Sequence, residues 1–88
     1  MIVKQTERFA KELSRLPAEY RQHIEHFIFE ELPIYNNLSE VHKAEKLQGY
    51  EHYYKIRFGS YRLGIYYEND VLILERALHR KDIYKNYP

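Results

Sequence analysis

Eighty-eight residues leave room for one small domain with a single modest core, in a size range where stability margins are thin. With no cysteine, the chain has neither a disulfide framework nor a thiolate zinc site, so the fold must stand on packing. The formal net charge of +1 conceals an asymmetry: Met1 to Tyr54 holds 7 Lys/Arg against 9 Asp/Glu, a balance of −2, whereas Lys55 to Pro88 holds 7 against 4, a balance of +3. No apolar run approaches the roughly 20 residues of a membrane span, and Met1-Ile2-Val3-Lys4-Gln5 does not read as a secretory leader, so cytoplasmic residence without a membrane partner is the expectation.

Taken in chain order, Ile2 to Gln5 reads as a short opening strand. Thr6 is a good helix N-cap, with Glu7 in the first turn where the helix dipole favours an anion. The helix runs to about Arg15, and Phe9, Leu13 and Leu16 form its apolar stripe. Pro17 breaks the ladder and opens a second helix over Ala18 to Glu31, burying Tyr20, Ile24, Phe27, Ile28 and Leu32. Two helices joined by one proline make an antiparallel hairpin suited to cover one face of a sheet. Pro33 ends this hairpin; Ile34 to Leu38 has loop character, and Ser39 is placed to cap a helical turn at Glu40-Val41-His42.

Lys46-Leu47-Gln48-Gly49 leads into three strands, Tyr53 to Phe58, Tyr61 to Tyr67 and Val71 to Leu78. The links Gly59-Ser60 and Glu68-Asn69-Asp70 are short enough to force antiparallel hairpins. The expected fold is a single α+β domain over residues 1–88, in the order β-α-α-β-β-β, with the helical hairpin packed on a small antiparallel meander. Alternation puts Lys55 and Arg57 on one side of their strand and Tyr54, Ile56 and Phe58 on the other. In the next strand Arg62 opposes Leu63, Ile65 and Tyr67. Gly64 reads as a place where a neighbour approaches the middle strand closely.

Each of these cations also has an ordinary reading. Lys55 and Arg57 could be solvated residues that discourage edge pairing, and Arg62 could form a cross-sheet ion pair with Glu75. His79 alone suits a surface position, and Tyr84 could anchor the C-terminal segment. His23 and His26, three apart on a helix, have no evident third ligand, so no metal or other cofactor is expected. Ser14, Ser39 and Ser60 lack a recognisable base and orienter, and the three glycines form no nucleotide loop.

Four segments in order, Lys46-Leu47-Gln48-Gly49, Tyr54-Lys55-Ile56-Arg57, Gly59-Ser60-Tyr61-Arg62-Leu63 and His79-Arg80-Lys81-Asp82-Ile83-Tyr84, resemble the RelE/ParE superfamily of toxins from type II toxin–antitoxin modules. With the leading hairpin included, the resemblance covers nearly the whole chain. It implies a ribosome-dependent messenger-RNA endonuclease, metal-independent and neutralised by a cognate antitoxin, with the ribosome and mRNA as further partners and a higher-order toxin–antitoxin complex as an additional expectation. A ParE-like branch instead implies a poison of DNA gyrase with no catalysis of its own. Carried over by position, Lys55, Arg57, Arg62, Arg80 and Tyr84 fall on the family's functional residues. Arg57 departs from the pattern in standing where the family has a second strand lysine, and so do His79 before Arg80 and the shorter spacing from Arg80 to Tyr84.

Metal-independent RNA cleavage needs a deprotonated 2′-hydroxyl, a neutralised transition state and a protonated 5′-oxygen. Arg57, Arg62 and Arg80 suit phosphate clamping, since a guanidinium stays charged and presents a planar fork of donors. Either His79 or Lys55 is expected to handle a proton, and Tyr84 to stack on or orient a base, or to accept a proton itself. The expected catalytic set is therefore Lys55, Arg57, Arg62, His79, Arg80 and Tyr84, with Lys46, Lys55, Arg57 and Lys81 contacting RNA.

Overall fold

A computed structural model describes all residues from Met1 to Pro88. Strand β1 (Ile2–Gln5) precedes helices α1 (Glu7–Ser14) and α2 (Ala18–His26), and α2 continues through one wide π turn at Phe27–Glu31. Two 3-10 turns, Leu32–Ile34 and Leu38–Glu40, lead to β2 (Ala44–Lys46), β3 (Tyr53–Phe58), β4 (Tyr61–Glu68), β5 (Val71–His79) and α3 (Arg80–Asn86). Thr6 caps α1, its Oγ1 accepting the Phe9 N–H at 3.0 Å.

The expected meander is present as β3-β4-β5, within a five-stranded sheet of order β1-β5-β4-β3-β2. Three features lie outside the expectation. Strand β1 joins in parallel, with Ile2 opposite Val71 and Gln5 opposite Leu74, so the sheet is mixed rather than wholly antiparallel. Ala44–Lys46 forms an outer strand against β3, and the segment after His79 is helical. Neither short element carries enough residues to display a period. The β4–β5 link is a two-residue turn with φ of 51° at Asn69 and 64° at Asp70, the left-handed pair that matches the twist of a hairpin. At the β3–β4 link Gly59 has φ of 59°, and a Cβ there would stand 2.6 Å from the Tyr20 ring.

The core lies between the hairpin and one sheet face. Phe9, Ile24, Phe27 and Leu32 from the helical side meet Ile56, Leu63, Ile65, Leu72 and Leu74 from the strands, all essentially solvent-free. The other sheet face carries Lys55, Arg57, Arg62 and Gly64, and α3 crosses it, burying Ile83 and Tyr87. A Cβ on Gly64 would sit 2.9 Å from the Tyr87 ring, so the close approach read from sequence is made by this terminal segment.

Strand β1 is too short to cover the whole edge of β5, and α1 completes it. The Thr6 N–H donates to the Leu74 carbonyl at 3.1 Å, and Glu12 Oε1 accepts the Ala77 N–H at 3.0 Å. The same carboxylate receives Arg76 Nη2 at 2.9 Å and Nε at 3.1 Å, with the two side chains only 13 % and 9 % exposed. Arg76 Nη1 donates onward to the Asn86 carbonyl at 3.2 Å. Replacing Glu12 by alanine strands a buried guanidinium and a strand N–H, and is expected to cost about 3 kcal/mol in urea unfolding. A loss below about 0.5 kcal/mol would show that water substitutes for the carboxylate.

Candidate nucleic-acid interface

Strand register assembles the site. Arg57 of β3 lies directly opposite Arg62 of β4, Lys55 lies opposite Gly64, and Glu45 of β2 lies opposite Lys55 from the other side. The absence of a side chain at Gly64 and the arrival of α3 complete a concavity of about 210 Å³ lined by Glu45, Lys55, Arg57, Arg62 and Tyr84. The Lys55 Nζ stands 4.9 Å from the Tyr84 ring centroid, a cation–π contact that leaves Tyr84 65 % exposed.

Opposed like charges on neighbouring strands are unfavourable unless something neutralises them. Lys55, Arg57 and Arg62 take part in no ion pair, in contrast to the fully engaged Arg76. Arg62 does not pair with Glu75. Its Nη1 donates to the Gly59 carbonyl at 2.7 Å and the Tyr61 carbonyl at 2.9 Å, which fixes the guanidinium beside the β3–β4 turn and leaves its charge uncompensated. Glu75, opposite no residue in the β4 ladder because of a bulge beside Gly64, instead accepts the Tyr87 hydroxyl at 2.8 Å.

Four expected site residues stand outside this concavity. His79 pairs with Tyr61 across the strands, on the hairpin side of the sheet, where its ring packs edge-on to Tyr61 at 5.4 Å. Its Nδ1 accepts the Lys81 N–H at 3.2 Å and so caps α3. His79 pairs one residue away from the Arg62–Leu78 rung, and that odd offset is the physical reason it points away from Lys55. Arg80 is exposed, and its N–H donates to the Ser60 carbonyl at 2.8 Å, which ties it to the same turn that holds Arg62. Lys46 falls opposite Tyr54, hence on the hairpin side of β2, and Lys81 is exposed on α3. Sequence reading missed Glu45: the alternation that faces it toward Lys55 becomes visible only once Ala44–Lys46 is known to be a strand.

An aromatic group flanks the concavity. Tyr53 packs edge-to-face on Tyr66 at 5.1 Å and on Tyr87 at 5.6 Å. The Tyr66 hydroxyl donates to Glu68 Oε1 at 2.7 Å, a bond that holds the phenol proton on and raises its pKa. Tyr87 is raised further, first by burial and then by its bond to the Glu75 carboxylate.

No protein-family model matches the chain. The toxin RelE3 of Methanocaldococcus jannaschii is 41% identical over 81 residues, 91% of each chain. Among solved structures, the RelB–RelE antitoxin–toxin complex from Methanococcus jannaschii superposes with a TM-score of 0.80 at 37% identity, over 97% of this chain and 99% of that one. A doubly substituted mutant of the E. coli toxin RelE in the free state follows at a TM-score of 0.68 and 23% identity, over 96% of this chain and 90% of that one, a likeness of fold alone. The fold and the archaeal relatives together define a small α+β protein of the toxin–antitoxin type. More narrowly, the chain belongs to the RelE toxin family.

The Tyr87 shift carries a pH signature. Because the folded phenol keeps its proton longer than the unfolded one, the stabilisation is complete below the ordinary tyrosine value of about 10 and declines as pH rises above it. Unfolding free energy measured from pH 8 to 11 is expected to fall at the alkaline end, and Tyr87→Phe to flatten part of that slope.

Proposed function

We propose that this protein is the toxin of a toxin–antitoxin pair and acts as a ribosome-dependent messenger-RNA endonuclease that stops translation. The observation that carries the reading is the concavity itself: three unpaired cations from two adjacent strands, with an exposed tyrosine at its rim, on a face the core does not need. Its volume suits a phosphate group and part of a sugar. Arg57 and Arg62 offer donors to the non-bridging phosphate oxygens as negative charge builds in the transition state. Lys55, as an ammonium, donates a proton to the departing 5′-oxygen. Tyr84 presents an exposed ring on which a base can stack. Arg80 and Lys81 at the start of α3 extend the positive surface along the message backbone. The cations supply the charge neutralisation, so no step is routed through a metal.

A chain this small surrounds little of its substrate, and the ribosome supplies the missing geometry by holding the message in place. Neutralisation by a cognate antitoxin follows from the family, whose archaeal relative was solved with RelB. An acidic segment laid over Lys55, Arg57 and Arg62 would satisfy the opposed charges that the free protein leaves unpaired.

Primer extension on messages after induced expression tests the activity, with discrete cuts in ribosome-bound transcripts as the expected result. Intact messages accompanied by DNA-damage signalling would favour gyrase poisoning and overturn the nuclease reading. Arg57→Ala, at an exposed position, is expected to slow single-turnover cleavage by about 10²-fold or more while leaving the melting temperature nearly unchanged. A fully active, folded Arg57→Ala variant would remove the clamp assignment.

A further inference from the structure

Proton removal from the 2′-hydroxyl has no assigned acceptor among the cations, and the same concavity holds a group suited to the task. Arginine remains protonated throughout the physiological range and cannot accept. A lysine ammonium is a donor, and His79 lies on the opposite side of the sheet. Glu45 is the one carboxylate lining the concavity, and cross-strand pairing places it directly beside Lys55. It belongs to an exposed outer strand and takes part in no ion pair, so the fold does not consume its charge.

On the nuclease reading above, we infer that Glu45 is the general base, paired with Lys55 as the general acid across the β2–β3 ladder. The Glu45 carboxylate takes the 2′-hydroxyl proton as the 2′-oxygen forms its bond to phosphorus. The bond from phosphorus to the 5′-oxygen breaks, and that oxygen takes a proton from Lys55. The products are a 2′,3′-cyclic phosphate and a free 5′-hydroxyl, and the proton gained by Glu45 returns to Lys55 through solvent. Adjacent strands thus place acceptor and donor side by side, with Arg57 next along β3 and Arg62 opposite it to hold the phosphate. Lys55, Arg57 and Arg62 line the concavity with Glu45, so the acceptor and the phosphate-holding cations share one small volume.

Single-turnover cleavage of a ribosome-bound message tests this directly. Glu45→Gln is expected to slow cleavage by about 10²-fold or more, within the usual range for a lost general base, while binding to the ribosome stays the same or tightens because a negative charge has gone. Glu45→Asp should restore part of the rate. A message bearing a 5′-bridging sulfur, whose leaving group needs no proton, should rescue Lys55→Ala but not Glu45→Gln. Retention of the parent rate within about threefold by a folded Glu45→Gln variant, or its rescue by the sulfur substrate, overturns the assignment. Absence of cleavage by the parent chain overturns the nuclease reading and this assignment with it; a cleaving parent with an unimpaired glutamine variant overturns the Glu45 assignment alone.

Discussion

The Glu12–Arg76 contact is the constraint on which the rest of the molecule depends. One carboxylate on α1 finishes the edge of β5 through Ala77 and holds a buried guanidinium in a bidentate grip. That guanidinium in turn anchors the last turn of α3 through the Asn86 carbonyl. Helix, strand and terminal segment are therefore joined at a single point, with the Tyr87–Glu75 bond and the Gly64 contact alongside. Seven residues of helix would be marginal alone. Its position across the sheet, and with it the seat of Tyr84 over Lys55, is a tertiary product rather than a local one.

The sheet divides its cations by environment. Arg76 is buried, fully hydrogen-bonded and structural, while Lys55 and Arg57 on the same face have no anionic partner. Arg62 is intermediate: buried and hydrogen-bonded to carbonyl groups, which orient the fork without cancelling its charge. Dipoles that aim a cation without neutralising it are what an anion-binding surface requires. Arg57 and Arg62 oppose each other across the ladder, a cost that an anion lying between them would offset.

Most of the fold could be read from periodicity and punctuation. Thr6 and Pro17 bracketed the first helix, the two strand links set the hairpins, and alternation separated Lys55 and Arg57 from Ile56 and Phe58. Elements that owe their form to distant partners could not be read this way. Strand β2 is three residues long, α3 begins at a histidine cap with no intervening turn, and the parallel partner of β1 lies at the far end of the chain. The site followed the same division. Lys55, Arg57 and Arg62 sit on long strands whose register is visible in sequence, whereas Glu45 was hidden within β2. His79 stands apart from that concavity because a cluster contiguous along the chain is split by the pleat between two faces.

The pairing of β1 with β5 also dictates when the toxin fold can close during synthesis. Sixty-nine residues separate Thr6 from Glu75, which meet in the finished sheet, so the earliest segment of a nascent chain has no mate until translation has passed the final strand. Tyr84 follows later still. While a copy is being made, then, the synthesising ribosome carries a chain whose sheet is still open, and the finished fold can close only after that ribosome has read almost the whole message.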